Sequence, residues 1–177
     1  MSSAEVFAEE FMNKANYVSK QLYSRNKKWT DENVKWIEQI LCDVYEKIQI
    51  SHEYYRIDTI GWTQRKNELN TGNSNLAPHL WDLVAAVEHE NNPNEWLDEV
   101  CKLAYIRCPL RVVIGYGIER FCDKIAVVKD ILAKTDAFID NEQEFLIILG
   151  KHKNEFVQGG DNFTYIIITK EDIVNEK

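Results

Sequence analysis

The sequence predicts a mixed α/β sheet flanked by helices, and three observations carry that reading. The run Leu83-Val-Ala-Ala-Val87 is apolar on both parities, the pattern of a strand covered on both faces. After it, Asn92-Pro93-Asn94-Glu95 combines an N-cap residue, a proline at the first helical position and a third-position Glu, followed by Trp96, Val100 and Leu103 at helical spacing. Pro109 ends that helix, and Leu110-Arg-Val-Val-Ile-Gly-Tyr116 is a short β-branched strand. Strand, helix and strand from Leu83 to Tyr116 make a crossover unit whose two strands should be parallel neighbours.

The remaining elements follow in order. From Ser3 to Leu22, the apolar residues Phe7, Phe11, Ala15, Val18 and Leu22 recur at three- and four-residue steps, and Ser2 with Glu5 has capping-box spacing. Arg25-Asn-Lys-Lys28 interrupts this helix. Thr30 then caps a second one on Val34, Ile37, Leu41, Val44 and Ile48. Tyr54 to Trp62 is rich in residues that suit a pleated surface and reads as one strand, followed by a polar loop at 70–74. The strand through Leu83 to Val87 stops at the acids Glu88 and Glu90. A helix on Ile118, Phe121, Ile125, Val128 and Leu132 precedes two last strands, Phe145 to Leu149 and Phe163 to Ile168, joined by a loop containing Gly159-Gly160.

Composition excludes several classes. The 177 residues carry 21 Lys and Arg against 29 Asp and Glu, a net charge of −8, so the whole surface cannot attract nucleic acid or an anionic membrane, although a local basic patch is allowed. Cys42, Cys101, Cys108 and Cys122 lack Cys-x-x-Cys spacing and clustered histidines, which argues against zinc and for reduced, partly buried thiols. An acidic N-terminus and the absence of any long apolar run lead to the expectation of a soluble, cytoplasmic protein without a membrane partner. No repeat or linker divides the chain, so 1–177 is read as a single domain.

Chemistry concentrates at the end of the central strand. Period-two geometry puts Asp82, Val84, Ala86, Glu88 and Glu90 on one face and His89 on the other. Converging carboxylates form the usual site for a hard divalent cation such as Mg²⁺, which prefers oxygen ligands. The plainer alternative is that these acids are the solvated end of a strand. Asp58 sits among apolar and aromatic neighbours, an expensive place for a charge without a salt bridge or a cation. His79 and His89 lack paired ligands and read as structural or surface residues. Gly115-Tyr-Gly117 lacks phosphate-loop context, and no Ser-His-Asp set emerges. Basic residues cluster at Arg25-Asn-Lys-Lys28, Arg65-Lys66 and Lys151-His-Lys153, where they can touch phosphates or simply be solvated.

Over roughly Asp31 to Tyr116 this arrangement resembles the PD-(D/E)xK, or restriction-endonuclease-like, nuclease superfamily. The order is helix, strand with Asp58, strand ending Val87-Glu88-His89-Glu90, helix, strand. The resemblance implies a nuclease-like core at 29–116, preceded by a helical arm at 1–28 and followed by a helix and two strands at 117–177. It implies Asp58 as first metal ligand, with Asp82 as a competitor, and Glu88 as second. It also implies Mg²⁺ as cofactor with Mn²⁺ as substitute, and nucleic acid as partner; a homodimer is allowed. Glu90 stands where the superfamily carries its lysine, so Glu90 is either a further ligand or a general base, or the cationic role has moved to Lys102 on the following helix. The expected function is Mg²⁺-dependent hydrolysis of phosphodiester bonds in DNA or RNA. The alternatives are a catalytically inactive nuclease-like fold serving as an interaction or regulatory module, and a metal-independent domain whose acids are surface residues.

Overall fold

The computed structural model describes residues 1–54, 56–64 and 81–174. The expected loop at 70–74, His79 and Arg65-Lys66 lie outside them. The described residues form helices α1 (Ser3–Ala15), α2 (Lys20–Tyr23) and α3 (Asn26–Val44), then strands β1 (Gln49–Tyr54), β2 (Ile57–Gln64) and β3 (Trp81–His89). They continue with α4 (Trp96–Ala104), β4 (Leu110–Tyr116), α5 (Phe121–Lys134), β5 (Glu144–Gly150), β6 (Phe163–Ile168) and α6 (Lys170–Val174). The six strands make one mixed sheet in sequence order. β1, β2 and β3 are antiparallel, β3, β4 and β5 parallel, and β6 is antiparallel to β5.

The expected crossover is present. β3 is interior and pairs in parallel with β4, with Glu88 opposite Val113, and α4 connects the two strands. Every residue of β4 is buried, because layers cover both faces of the sheet. One layer is α1 and α3, where Phe7, Phe11, Trp29 and Ile37 pack on Val87, Val112 and Ile114. The other is built from α4, α5 and α6, where Trp96, Val100, Val128 and Ile173 pack on Ala86, Val113 and Ile147. Arg111 is also buried here; its Nη1 donates to the Ala137 carbonyl at 2.6 Å, and its guanidinium carbon lies 4.8 Å from the Phe138 ring centre.

Several boundaries differ from the sequence expectation. The Ser2 capping box forms, with Ser2 N donating to the Glu5 carboxylate and Glu5 N to the Ser2 hydroxyl, but α1 stops at Ala15 and a separate short α2 follows. Thr30 caps nothing: α3 begins at Asn26, so the basic run forms its first turn instead of breaking it. The segment read as one strand is the second half of a hairpin, with Ile50 paired to Gly61. The Asn92 side chain caps a tight turn through Asn94 N at 3.1 Å, and α4 starts only at Trp96 and ends at Ala104, before Arg107 and Pro109. Cys108 is buried, while Cys42, Cys101 and Cys122 are exposed, against the expectation of partly buried thiols. Among the described residues, no helix is long and apolar enough to cross a membrane.

Gly115 lets α4 approach the sheet. A Cβ there would lie 2.8 Å from both Cβ and Cγ of Trp96, inside the best-packed part of the layer. Gly115→Ala should therefore lower stability by about 1–3 kcal/mol, the usual cost of overpacking. Gly61→Ala, whose new methyl meets mainly the far end of the Ile48 side chain, should cost less. Urea midpoints of the two variants check this ordering, and equal midpoints would count against so close a seat for α4.

Candidate functional site

The carboxyl end of β3 carries two adjacent polar residues that point into opposite layers. Glu88 follows Ala86 toward α4, and His89 follows Val87 toward α3. On the α4 side, Lys102 sits one turn after Glu99 and beside the apolar stripe of Trp96, Val100 and Leu103. Its long stem carries the ammonium to the end of β3. Lys102 Nζ donates to Glu88 Oε1 at 2.8 Å and to the Arg56 carbonyl at 2.9 Å, and it also pairs with Glu99. Asp58, near the start of β2, completes the group: His89 N donates to its Oδ2 at 2.8 Å, and Asp58 N donates to Glu88 Oε2 at 3.3 Å. The β2–β3 pairing thus places an acid on each strand at one point.

Burial dominates the electrostatics. Glu88 is 1% exposed, and the loss of water pushes its carboxyl up to about 8, against the pull of Lys102 and with the push of Asp58 and Glu99. Asp58 is raised in the same direction, first by burial, partly offset by the His89 N–H, with Glu53 and Glu99 adding to the rise. Burial pulls Lys102 down, but its hydrogen bonds to Glu88 and Glu99 outweigh that and leave it above its ordinary value. Glu88 and Lys102 are both raised, and these shifts favour opposite states of the pair. Desolvation of the Glu88 anion is the larger effect, because Lys102 remains one-third exposed and keeps part of its water.

The structure therefore brings Asp58, Glu88 and Lys102 together. It does not bring Glu90 or Asp82. Glu90 Oε1 accepts from Asn92 N at 2.6 Å, and its charge faces the Tyr116 side. Asp82 lies opposite Thr63, six residues before Glu88 along β3, which is about 20 Å at strand rise. Among the described residues, no group of three or more His, Cys, Asp or Glu side chains is placed to hold a metal ion. Two carboxylates, Asp58 and Glu88, are the oxygen donors this point offers, and three of their four oxygens already accept from Asp58 N, His89 N and Lys102 Nζ.

Two neighbouring networks were not foreseen. On the α3 side, Trp29 Nε1 donates to the Tyr116 hydroxyl, which shares a hydrogen bond of 2.7 Å with His89 Nε2. Burial holds His89 down to about 4, so the ring is neutral, and Nδ1 is left without a partner. Beside β2, His52 Nε2 meets Glu38 Oε1 at 2.7 Å and His52 Nδ1 meets Thr59 Oγ1 at 3.1 Å. Thr59 is fully buried, so this chain braces the start of β2 and is no nucleophile relay. Glu99 was also missed, although its three-residue spacing from Lys102 was the available signal.

No protein-family model matches the chain, and no curated protein or solved structure matches it.

The raised Glu88 carboxyl has a sign that stability measurements can read. With an ordinary value of 4.5 and a folded value of about 8, the folded state binds more protons than the unfolded state across that window. Stability contributed by Glu88 therefore falls as pH rises from about 4.5 to 8. His89 acts oppositely between about 4 and 6.5, so the parent alone mixes the two. Glu88→Gln should stabilise the protein relative to the parent increasingly toward pH 8, as read by urea midpoints at pH 5, 6.5 and 8. A difference independent of pH would contradict the burial of this charge.

Proposed function

We propose that the protein is a metal-dependent phosphodiesterase of the restriction-endonuclease-like kind, cutting DNA or RNA, with Asp58 and Glu88 as cation ligands and Lys102 as the cationic group beside them. The observation that carries this reading is the contact of Lys102 with Glu88, across from Asp58, at a strand end next to a crossover. The succession α3, β1, β2, β3, α4, β4, with the first acid near the start of β2 and the second near the end of β3, supports the same reading. So does the energetics: an acid pair held this deep destabilises the fold unless something positive joins it.

The residues divide the work. Asp58 and Glu88 offer oxygen donors from two strands of a rigid sheet, which fixes their separation. Mg²⁺ held there supplies positive charge against the charge that develops on the phosphodiester. Lys102, ionised and partly solvated, keeps positive charge at the acid pair when no cation is present, and the one N–H it gives to Glu88 is free to turn to a phosphoryl oxygen once Glu88 meets the cation. Glu99 and the Arg56 carbonyl anchor the ammonium while it does so. One observation favours a second reading, an inactive nuclease-like interaction module: Glu90, at the superfamily's lysine position, is turned back onto Asn92 N.

Incubation of the purified protein with plasmid, single-stranded DNA and RNA separates the two. Mg²⁺- or Mn²⁺-dependent cleavage should appear, vanish with chelator, and be abolished by Asp58→Asn or Glu88→Gln. Lys102→Ala should reduce it about a hundredfold or more, the scale of losing one preorganised charge at a transition state. Millimolar Mn²⁺ should also raise the melting temperature of the parent and much less that of Glu88→Ala. No cleavage of any substrate, with none gained in Glu90→Lys, would leave the interaction-module reading.

A further inference from the structure

Just beyond the carboxyl ends of β3, β4 and β5, on the α3 side, lies a pocket of about 450 Å³. Its floor is formed by Tyr23, Trp29 and Tyr116, and its rim by Asn91, Lys151 and Lys153. The volume lies in the range of small-ligand sites, and the lining has the usual character of one, apolar with a few convergent polar groups. Asn91 is three residues past Glu88, so the pocket begins within about 10 Å of the acid pair.

The rim is assembled from segments distant in sequence. The basic run 25–28 opens α3, and the run 151–153 follows β5; Lys153 Nζ donates to Asn26 Oδ1 and ties the two together. Tyr23 OH donates to the Lys151 carbonyl at 2.6 Å, and Lys20 Nζ to the Asn154 carbonyl at 3.3 Å, so the loop is held against α2 as well. Lys151 and Lys153 line the opening, in an otherwise acidic chain, and their loop is tied to Lys20 and to the first residue of α3, next to the basic run 25–28. Two acids lie near the opening: Glu119, which meets His152 at 3.5 Å, and Glu90, whose charge faces Tyr116 on the floor. A cationic rim over an aromatic floor matches a ligand with a planar apolar part and an anionic part.

We propose that this pocket holds one nucleoside phosphate, with the ring system against the aromatic edges and Asn91 and the phosphates on Lys151 and Lys153. Its assignment to the nucleic-acid strand bound for cleavage rests on the function proposed above. A nucleotide seated here brings the strand to the end of β3, from which it must pass to the α4 side to reach Asp58 and Glu88, while α3's basic first turn receives a flanking phosphate. The chemistry of a nucleoside phosphate is shared by a strand and by a free nucleotide, and the test separates them.

The test is fluorescence anisotropy of a fluorescein-labelled single-stranded ten-nucleotide DNA, in chelator so that no cleavage occurs. The Lys151→Ala/Lys153→Ala protein should bind about tenfold more weakly, with its melting temperature unchanged. The slope of log affinity against log salt should fall by up to about 1.4, or 0.7 for each phosphate that the removed lysines neutralise. Binding of AMP to the parent, lost in the double variant, together with no lysine-dependent binding of the ten-nucleotide DNA would assign the site to a free nucleotide. Equal affinity of parent and variant for both ligands, or no binding of either, overturns the proposal. Binding through these lysines without any metal-dependent cleavage keeps the pocket and removes the nuclease reading; cleavage with lysine-independent binding does the reverse.

Discussion

The whole arrangement depends on both faces of the parallel segment β3–β4–β5 being kept out of water. A parallel strand cannot be joined to its neighbour by a tight turn, so α4 and α5 must cross over, and their apolar stripes then cover one face. The other face is left to α1 and α3, which is why the N-terminal segment is built into the core through Phe7 and Phe11 and is no detached arm. Once both faces are dry, any polar residue near the strand ends has to find a partner or keep its water at the rim. Glu88 and His89 meet that constraint in opposite ways. His89 stays neutral and joins the Tyr116 hydroxyl, whereas Glu88 meets an ammonium.

The Glu88–Lys102 pair is not what stabilises the fold. Ion pairs such as Lys134–Asp130 and Arg120–Asp123 are exposed and contribute about 0–1 kcal/mol each. The buried pair is a different case, since desolvation of Glu88 exceeds what Lys102 restores, and a well-packed apolar residue there would serve the core better. Adding Asp58 beside it increases the repulsion. An arrangement that weakens the fold, at a strand end beside a crossover, is the observation on which the proposed function rests.

The sequence was most legible where local pattern and tertiary environment agree. The two-sided run Leu83 to Val87 and the β-branched run to Tyr116 announce interior strands, and the helical stripe between them forces their parallel pairing. The hairpin was not legible: Gln49 to Tyr54 holds only Ile50 and Tyr54 as apolar or aromatic residues and does not alternate, while the spacing of Leu41, Val44 and Ile48 carries the helical pattern past the end of α3. At the site, Asp58 and Lys102 were legible because an acid among apolar neighbours and a lysine twelve residues after Glu90 both raise a question of partners. Glu90 misled because period two holds only while the strand lasts, and β3 ends at His89, after which the chain turns and the Glu90 carboxylate meets Asn92 N. The strand-end pocket was illegible for a different reason. Its two basic runs are more than a hundred residues apart, and only the β5 register and the start of α3 bring them together.

Charge distribution decides how such a surface can work. At a net charge of −8 the protein as a whole repels a polyanion, so long-range attraction cannot gather nucleic acid to it. At physiological salt the Debye length is about 8 Å, and beyond that distance the acids elsewhere on the chain are largely screened. What remains is local: a cationic rim on one side of the β3 end and an acid pair with its lysine on the other. Under the proposed function, a strand that follows the rim would arrive at the acids with its own phosphates as the nearest negative charge, the arrangement in which a divalent cation between them is held by both. In the function proposed above, the repulsion that makes Asp58 and Glu88 costly in the free protein would become the source of their affinity for a cation brought in with the substrate.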